Sequence, residues 1–195
     1  METRERILRS ALDLFSKQGY RATTTREIAR EAGVNELTIF RHFTSKEKLL
    51  GEVMDFGFDF DGLKRSVETD LTGDAERDLE ALAHQLILNM RERESIYALM
   101  FREMSTNEMV RGKLGELPGM VKDVFLRRLR QILGERARDD LDMETAGIFL
   151  ASYFIRSEIM RIMMGKDPFH EMNDERIRIA IDIFLYGYLE RGDET

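Results

Sequence analysis

Hydrophobic residues recur along most of this 195-residue chain at the spacing of an α-helix. In the first segment, apolar side chains stand three or four positions apart, at Ile7, Leu8, Ala11, Leu12 and Phe15. This spacing places them on one face, which predicts an amphipathic helix over Thr3–Gln18 that ends at Gly19.

Three more helix starts follow within the first fifty residues. Thr24 and Glu27 form a Thr-x-x-Glu capping box, which predicts a short second helix that ends at Gly33. Asn35 is a favourable N-cap, so a third helix is predicted over residues 35–43. A second Thr-x-x-Glu pattern begins at Thr44 and predicts the start of a fourth helix, which runs on toward residue 63.

The rest of the chain continues the helical pattern after an acidic connection at residues 68–78. Helices are predicted over residues 75–93, 95–106, 121–133, 143–164 and 174–191. The segment between Gly112 and Gly119, which contains Pro118, is predicted to be a turn. Because only 2 prolines and 14 glycines interrupt the chain, the predicted fold class is all-α.

The last two predicted helices are apolar around almost their whole circumference. One apolar stripe is enough to dock a helix on its own core, so a second stripe indicates a partner, most simply an identical chain. The alternative is that both are central core helices. The residues predicted to contact the partner are Phe154, Ile155, Ile159, Met163, Ile177, Ile181, Phe184 and Tyr188.

Composition excludes several kinds of chemistry. There is no cysteine, so the chain has no disulfide, thiolate nucleophile or Cys-based zinc site, and 3 scattered histidines do not indicate a metal site. No metal or cofactor is expected.

The charged N-terminus does not resemble a secretory signal, and the longest uncharged run, residues 145–155, is too short to span a membrane. We therefore expect a soluble, cytoplasmic protein.

Charge is distributed unevenly along the chain. The net charge is −7, but residues 1–50 contain 10 Lys/Arg against 7 Asp/Glu, a balance of +3, which leaves −10 for the remaining 145 residues. A basic head on an acidic body would direct only the head toward phosphate groups.

Two short helices joined by a tight turn at Gly33 form the pattern of a helix-turn-helix unit. The segment GYRATTTREIAREAGVNELTIFRHFTSKEKLL closely resembles the DNA-binding region of the TetR family of transcription regulators. The elements that carry the resemblance are Gly19-Tyr20, Ala22-Thr23-Thr24, Ile28-Ala29, Ala32-Gly33-Val34, Thr38-Ile39-Phe40, Phe43 and Ser45-Lys46-Glu47.

The resemblance implies a three-helix DNA-binding domain in residues 1–50 and a ligand-binding and dimerisation domain in residues 51–195. It implies phosphate contacts near the start of the second helix, base contacts from the third and a phosphate contact at the start of the fourth. The implied DNA-binding residues are Thr24, Thr25, Arg26, Asn35, Glu36, Leu37, Thr38, Phe40, Arg41, His42 and Lys46. Among them, Arg41 is the best candidate for reading guanine.

Three positions in this region are unusual. Phe40 stands where the family usually has tyrosine, so a phenol–phosphate hydrogen bond is absent, and Leu37 stands where a small residue or proline is more usual. Glu36 is unfavourable beside DNA unless it accepts a hydrogen bond from cytosine. The alternative for Arg41 and Lys46 is that they are ordinary surface charges, and for Thr24 that it only caps a helix.

Ten of the 12 methionines lie between residues 90 and 172. Because thioethers adapt to irregular apolar shapes, they suit a pocket for a hydrophobic ligand, although a methionine stripe also suits a packed core. The ligand-binding candidates are Met90, Met100, Phe101, Met104, Met109, Met120, Phe125, Phe149 and Tyr153.

The predicted function is a homodimeric repressor that binds an inverted-repeat operator in double-stranded DNA and is released by a small hydrophobic effector. An all-helical enzyme is the first alternative, but the chain has no phosphate-binding glycine loop, HExxH or GxSxG motif. A peptide-binding adaptor is the second. Salt dependence separates DNA binding from enzymatic turnover, since binding through several phosphate contacts weakens steeply as salt rises.

Overall fold

The structure is a computed structural model that describes residues 2–58, 70–134, 142–169 and 171–188. In these ranges the chain forms nine α-helices and no β-strand, which confirms the all-α fold class. The helices are α1 Thr3–Gln18, α2 Thr25–Glu31, α3 Glu36–Phe43, α4 Lys46–Gly57, α5 Ala75–Glu92, α6 Glu94–Glu103, α7 Glu108–Leu133, α8 Met143–Met164 and α9 Asp174–Tyr188. None of these helices combines the length and hydrophobicity needed to cross a bilayer.

The chain divides into two compact units. The first comprises Met1–Asp59 and Arg93–Glu116, and the second comprises Phe60–Glu92 and Leu117–Thr195. The first unit therefore contains α6 and the beginning of α7 as well as the four N-terminal helices. The functional division into residues 1–50 and 51–195 stays a prediction.

Helix α1 is the centre of the first unit, since it packs on α2, α4 and α6. Its predicted apolar stripe is buried at four of five positions, Ile7, Leu8, Ala11 and Phe15. Helices α4 and α6 approach each other closely, because a Cβ atom at Gly57 would lie 3.0 Å from Ile96 Cβ. This packing fixes α1–α4 as one body around a continuous core.

The second unit has its core between α5, α7, α8 and α9. Helix α5 packs on both α8 and α9, and these two also pack on each other. The fully buried members of this core include Leu79, Leu129, Phe154 and Ile181. Gly147 of α8 lies directly against α7.

Two sequence predictions about helix ends are wrong. Residues 112–119 are not a turn but part of α7, which continues through Pro118. Proline removes one backbone hydrogen bond, but Pro118 is exposed, and a carbonyl freed at an exposed site can be solvated.

The fourth helix is capped by Ser45 rather than Thr44, since the Ser45 hydroxyl accepts a hydrogen bond from Lys48 N–H at 3.0 Å. Thr44 has φ +56° and ends α3 instead. The same helix ends at Gly57, and the predicted continuation toward residue 63 lies mostly outside the described residues.

Candidate nucleic-acid interface

Helices α2 and α3 each begin at a residue whose side chain caps the backbone. The Thr24 hydroxyl accepts from Glu27 N–H at 3.2 Å, and the Glu27 carboxylate accepts in return from Thr24 N–H at 2.7 Å. Asn35 Oδ1 accepts from Leu37 N–H at 2.9 Å. These contacts confirm both predicted caps and explain why two helices of only seven and eight residues form at these positions.

The turn between α2 and α3 depends on glycine. Gly33 has φ +64°, a left-handed conformation that side chains rarely adopt. Val34 N–H donates to Ala29 O at 2.9 Å, and Arg6 Nε of α1 donates to Ala32 O at 3.3 Å, so carbonyls at the end of α2 are satisfied. Helix, turn and helix thus form a helix-turn-helix unit held against α1.

Helix α3 has one buried face and one open face. Ile39 and Phe43 are at most 1% exposed and anchor the helix to the core of the first unit. On the other side Leu37 is 69% exposed and Phe40 42% exposed, although both are apolar. Arg41 is also exposed. An anchored helix with an exposed apolar and cationic face has the form of an element that enters the major groove.

Several cations around this helix are available for phosphate. Arg26, Arg41 and Lys48 are exposed and make no ion pair with any residue that the structure describes. By contrast, Arg4 of α1 is paired with Glu52 and Arg9 with Glu5. The unpaired guanidinium and ammonium groups lie on α2, α3 and α4 themselves.

The hydroxyl groups predicted to contact phosphate already have partners in the protein. Thr24 Oγ1 lies 2.8 Å from a Glu27 carboxylate oxygen, and Thr25 Oγ1 donates to Glu36 Oε1 at 2.6 Å. Hydrogen bonds from the Thr24 backbone and side chain hold the pKa of Glu27 below its usual value. The remaining predicted residues on α3, Thr38 and His42, are half-buried and exposed, respectively.

Lys46 lies at the first position of α4, with its ammonium group 4.3 Å from the centre of the Tyr20 ring. Partial burial lowers the pKa of Lys46, while Glu103 and Glu27 act in the opposite direction. Burial also raises the pKa of Tyr20, and the neighbouring carboxylates of Glu47 and Glu103 raise it further.

Glu103, which the sequence analysis did not identify, connects α6 to this region. Its side chain is buried, and its Oε1 accepts from Tyr20 N–H at 2.8 Å. Thr23 was also missed as a structural residue: it is fully buried and donates from its hydroxyl to Gly19 O at 2.8 Å. Together they fix the turn between α1 and α2.

The predicted ligand-binding residues are divided between the two units. Met100, Phe101, Met104 and Met109 belong to the first unit. Met90 and Phe125 lie in the second, where both are buried in the protein interior. The side chain of Met120 is outside the described residues.

Two of the ligand-binding candidates, Phe149 and Tyr153, line the same cavity. This cavity, of about 610 Å³, lies between α8 and α9 and is almost entirely apolar. Its other lining residues are Asp142, Thr145, Ala146, Leu150, Ile179, Ala180, Ile183 and Phe184.

The predicted dimer residues are divided between the core and the surface. Phe154, Ile177, Ile181 and Phe184 are at most 8% exposed within a single chain, so their side chains face its own core. Met163 is 60% exposed, and Ile155 and Ile159 are half-buried. The side chain of Tyr188 is outside the described residues.

The same two helices expose further apolar side chains that the sequence analysis did not assign to the dimer. The most exposed are Phe149 at 74%, Met164 at 62%, Ile183 at 67% and Tyr186 at 76%. The apolar circumference of α8 and α9 indicated a second contact face, but it did not show which side of each helix forms that face.

The second unit also contains buried carboxylates. Glu158 is 1% exposed and accepts from Arg91 Nη2 and Arg161 Nε, each at 2.8 Å. Asp167 accepts from Phe169 N–H at 2.9 Å. No cluster of three or more metal-ligating side chains occurs in the part of the chain that the structure describes.

Comparison with known proteins agrees with this geometry. Residues 7–53 match the family described as bacterial regulatory proteins, tetR family. Over 190 residues, covering 95% of this chain and 96% of the relative, the sequence is 32% identical to the uncharacterised helix-turn-helix-type transcriptional regulator YvkB of Bacillus subtilis.

A second relative is the helix-turn-helix-type transcriptional repressor KstR2 of Rhodococcus jostii, 31% identical over 75% of this chain and 74% of that protein. The crystal structure of the TetR family transcriptional regulator PfmR from Thermus thermophilus has the same fold, with a TM-score of 0.66 and 24% identity over 95% of this chain and all of that one.

The fold and the helix-turn-helix unit define a DNA-binding transcriptional regulator. The chain belongs to the TetR family.

Proposed function

We propose that the protein is a repressor that binds an inverted-repeat operator as a homodimer and leaves it when a small hydrophobic effector binds. The proposal rests on the two faces of α3. Ile39 and Phe43 anchor the helix to the protein core. Leu37, Phe40 and Arg41 are exposed on its other side. A relative of the same family, KstR2, is named a repressor. Such a regulator acts at the bacterial chromosome, in the cytoplasm.

On DNA, Arg41 reads a base edge from the exposed side of α3. A guanidinium can bond guanine O6 and N7 together, and such a contact discriminates against a wrong base by about 1–3 kcal/mol. Arg26 on α2 and Lys46 on α4 contact phosphates on either side of the groove, while Thr38, Phe40 and His42 pack along it. Asn35 is exposed and uses its Oδ1 to cap α3, so its amide N–H₂ group is the part that can donate a hydrogen bond to DNA.

The binding test uses fluorescence anisotropy with labelled duplexes that tile the DNA flanking the gene for this protein. We expect one duplex to bind with an affinity that falls steeply as salt rises. Arg41→Ala is expected to weaken that binding about 5- to 150-fold. The matched control is Arg9→Ala, which removes the same charge from an exposed arginine that is paired within α1. Equal binding by both variants would remove Arg41 from the interface.

The second copy is proposed to dock on α8 and α9. In a single chain these helices leave Phe149, Ile183 and Tyr186 at least 67% exposed, and Phe149 and Ile183 line an apolar cavity. Large apolar side chains exposed to this extent are unfavourable for a free monomer and are typical of a contact between subunits. A two-fold axis would let each chain cover the same surface of the other.

Sedimentation velocity tests the dimer. The wild type is expected to sediment at twice the 22.8 kDa chain mass, and Ile183→Glu to sediment as a monomer. Leu88→Glu is the control, because Leu88 is an exposed leucine, 49% accessible, on α5. A wild type that stays at the monomer mass at micromolar concentration would contradict the proposal.

The effector acts by preferring the conformation that does not bind DNA. A hundredfold loss of operator affinity requires a preference of only about 2.7 kcal/mol. To test whether the effector is hydrophobic, the anisotropy assay is repeated with a C12 fatty acid and with a planar aromatic dye. Choline is the polar control. Release by choline alone would contradict it.

A further inference from the structure

Glu36 and Thr25 form a hydrogen bond between the first turns of the two helix-turn-helix helices. Thr25 is the first residue of α2 and Glu36 the first residue of α3, and the Thr25 hydroxyl donates to Glu36 Oε1 at 2.6 Å. Glu36 is half-buried, and its neighbour Leu37 is 69% exposed. The carboxylate is thus fixed at the end of α3 that a recognition helix directs toward base edges.

The Glu36 carboxylate can accept further hydrogen bonds besides the one from Thr25. An ionised carboxylate accepts through two oxygens with about four lone-pair sites, and Thr25 uses one of them. Glu36 therefore offers DNA only an acceptor with a negative charge, and it repels phosphate oxygens and the acceptor atoms of bases.

The major-groove edges of the four bases differ in what they offer such a group. Guanine presents the acceptors N7 and O6, and thymine presents O4, whereas cytosine N4 and adenine N6 are amino donors. Adenine also places the acceptor N7 beside its amino group, and this N7 atom would repel the second carboxylate oxygen of Glu36. Cytosine has no acceptor of its own at that edge.

We propose that Glu36, held in place by Thr25, is a specificity-determining residue that reads the amino group of a cytosine in each operator half-site. The inference rests on the proposed function, since it assumes that α3 enters the major groove. Thr25 is a positioning residue, because its hydroxyl touches the carboxylate and limits the rotamers from which Glu36 reaches a base.

The test is selection of bound duplexes from a pool with a randomised half-site, followed by affinity measurements on the enriched sequence. The wild type is expected to enrich cytosine at one position of each half-site and to bind a guanine substitution there about 5- to 150-fold more weakly. Glu36→Gln keeps the size of the side chain and its acceptor for Thr25. Because glutamine pairs with adenine N6 and N7, this variant should change the preference at that one position from cytosine to adenine.

Two controls separate base reading from charge and from fold. Glu31→Gln removes the same charge from an exposed position at the end of α2 and should leave every base preference unchanged. Thr25→Ser keeps the hydroxyl and should keep the cytosine preference, whereas Thr25→Val should relax it at that position only.

If the wild type and Glu36→Gln enrich the same base at every position, the inference fails while the proposed function stands. Enrichment of adenine by the wild type would overturn the assignment to cytosine. If the wild type enriches no sequence at all, the proposed function fails together with the inference.

Discussion

Asp167 lies in the connection between α8 and α9, the two helices proposed to bind the second copy. Its side chain is 2% exposed and lies 3.2 Å from an Arg156 guanidinium nitrogen. Burial alone raises the pKa of the Asp167 carboxyl, but hydrogen bonds from Phe169 N–H, Ser157 and Arg156 outweigh that effect and lower the pKa from 3.8 to about 2. The ionised carboxylate therefore stabilises the folded chain.

The size of this contribution follows from linkage between protonation and folding. Lowering the pKa from 3.8 to about 2 corresponds to roughly 2–3 kcal/mol of stabilisation, because each pKa unit is about 1.36 kcal/mol. Since the folded-state pKa is the lower one, the stabilisation is complete above the unfolded value of 3.8 and is lost as the pH falls through about 2. Between pH 5.5 and pH 3.0 the wild type should lose about 1 kcal/mol from this group alone.

The assay is urea denaturation followed by far-ultraviolet circular dichroism at pH 5.5 and pH 3.0, at one fixed protein concentration. Asp167→Asn should be less stable than the wild type at pH 5.5, and the gap should narrow by about 1 kcal/mol at pH 3.0. Asp70→Asn, at an exposed position, controls for the loss of one negative charge. A gap that stays constant between the two pH values would show that ionisation of Asp167 does not stabilise the folded chain.

Two further predictions concern packing and the link between α6 and the DNA-binding head. Gly147→Ala should destabilise the protein by about 1–3 kcal/mol, because the new Cβ atom would lie 2.5 Å from Leu126 Cδ2 and 2.9 Å from Leu129 Cδ2. Thermal unfolding should show Gly112→Ala, an open helical position, to be as stable as the wild type or more stable, and the reverse order would contradict this account. Glu103→Ala should cost about 1–3 kcal/mol in urea denaturation, because the Tyr20 N–H loses its acceptor, and Glu103→Gln should cost less, since the amide oxygen can still accept. Equal losses in the two Glu103 variants would mean that the hydrogen bond is not the cause.

The head of the protein was predictable because its signals are local. The caps at Thr24 and Asn35 and the turn at Gly33 each depend on residues within three or four positions, so the sequence alone determined α2 and α3. The Thr44 cap failed because Ser45 offers an equivalent hydroxyl one residue later, and a pattern of residue types does not distinguish the two.

Long-range contacts were not predictable in the same way. Pro118 was interpreted as a turn because local rules treat proline as a helix breaker, whereas an exposed site in a long helix tolerates it. Likewise, periodicity showed that α8 and α9 have too many apolar residues for one face. It did not show that Phe154 and Ile181 face the core of their own chain while Phe149 and Ile183 face outward.

The buried carboxylates carried a signal that the sequence analysis did not use. Glu158 stands four residues after Phe154 and eight after Leu150, and Glu103 stands four after Leu99, so each continues a buried apolar stripe. A charge on such a stripe requires a partner within the protein. The partners themselves, Arg91 for Glu158 and Tyr20 N–H for Glu103, are 67 and 83 residues away in sequence and emerge only from the fold.

The central claim is that two identical chains present α3 to successive major grooves of one operator. Methylation interference at guanine N7, an atom in the major groove, tests this most directly on the duplex selected by the wild type. We expect two patches of interference on one face of the duplex, related by two-fold symmetry and separated by one helical turn of about 34 Å, or slightly more. A single patch, or binding that methylation in the major groove leaves unaffected, would contradict it.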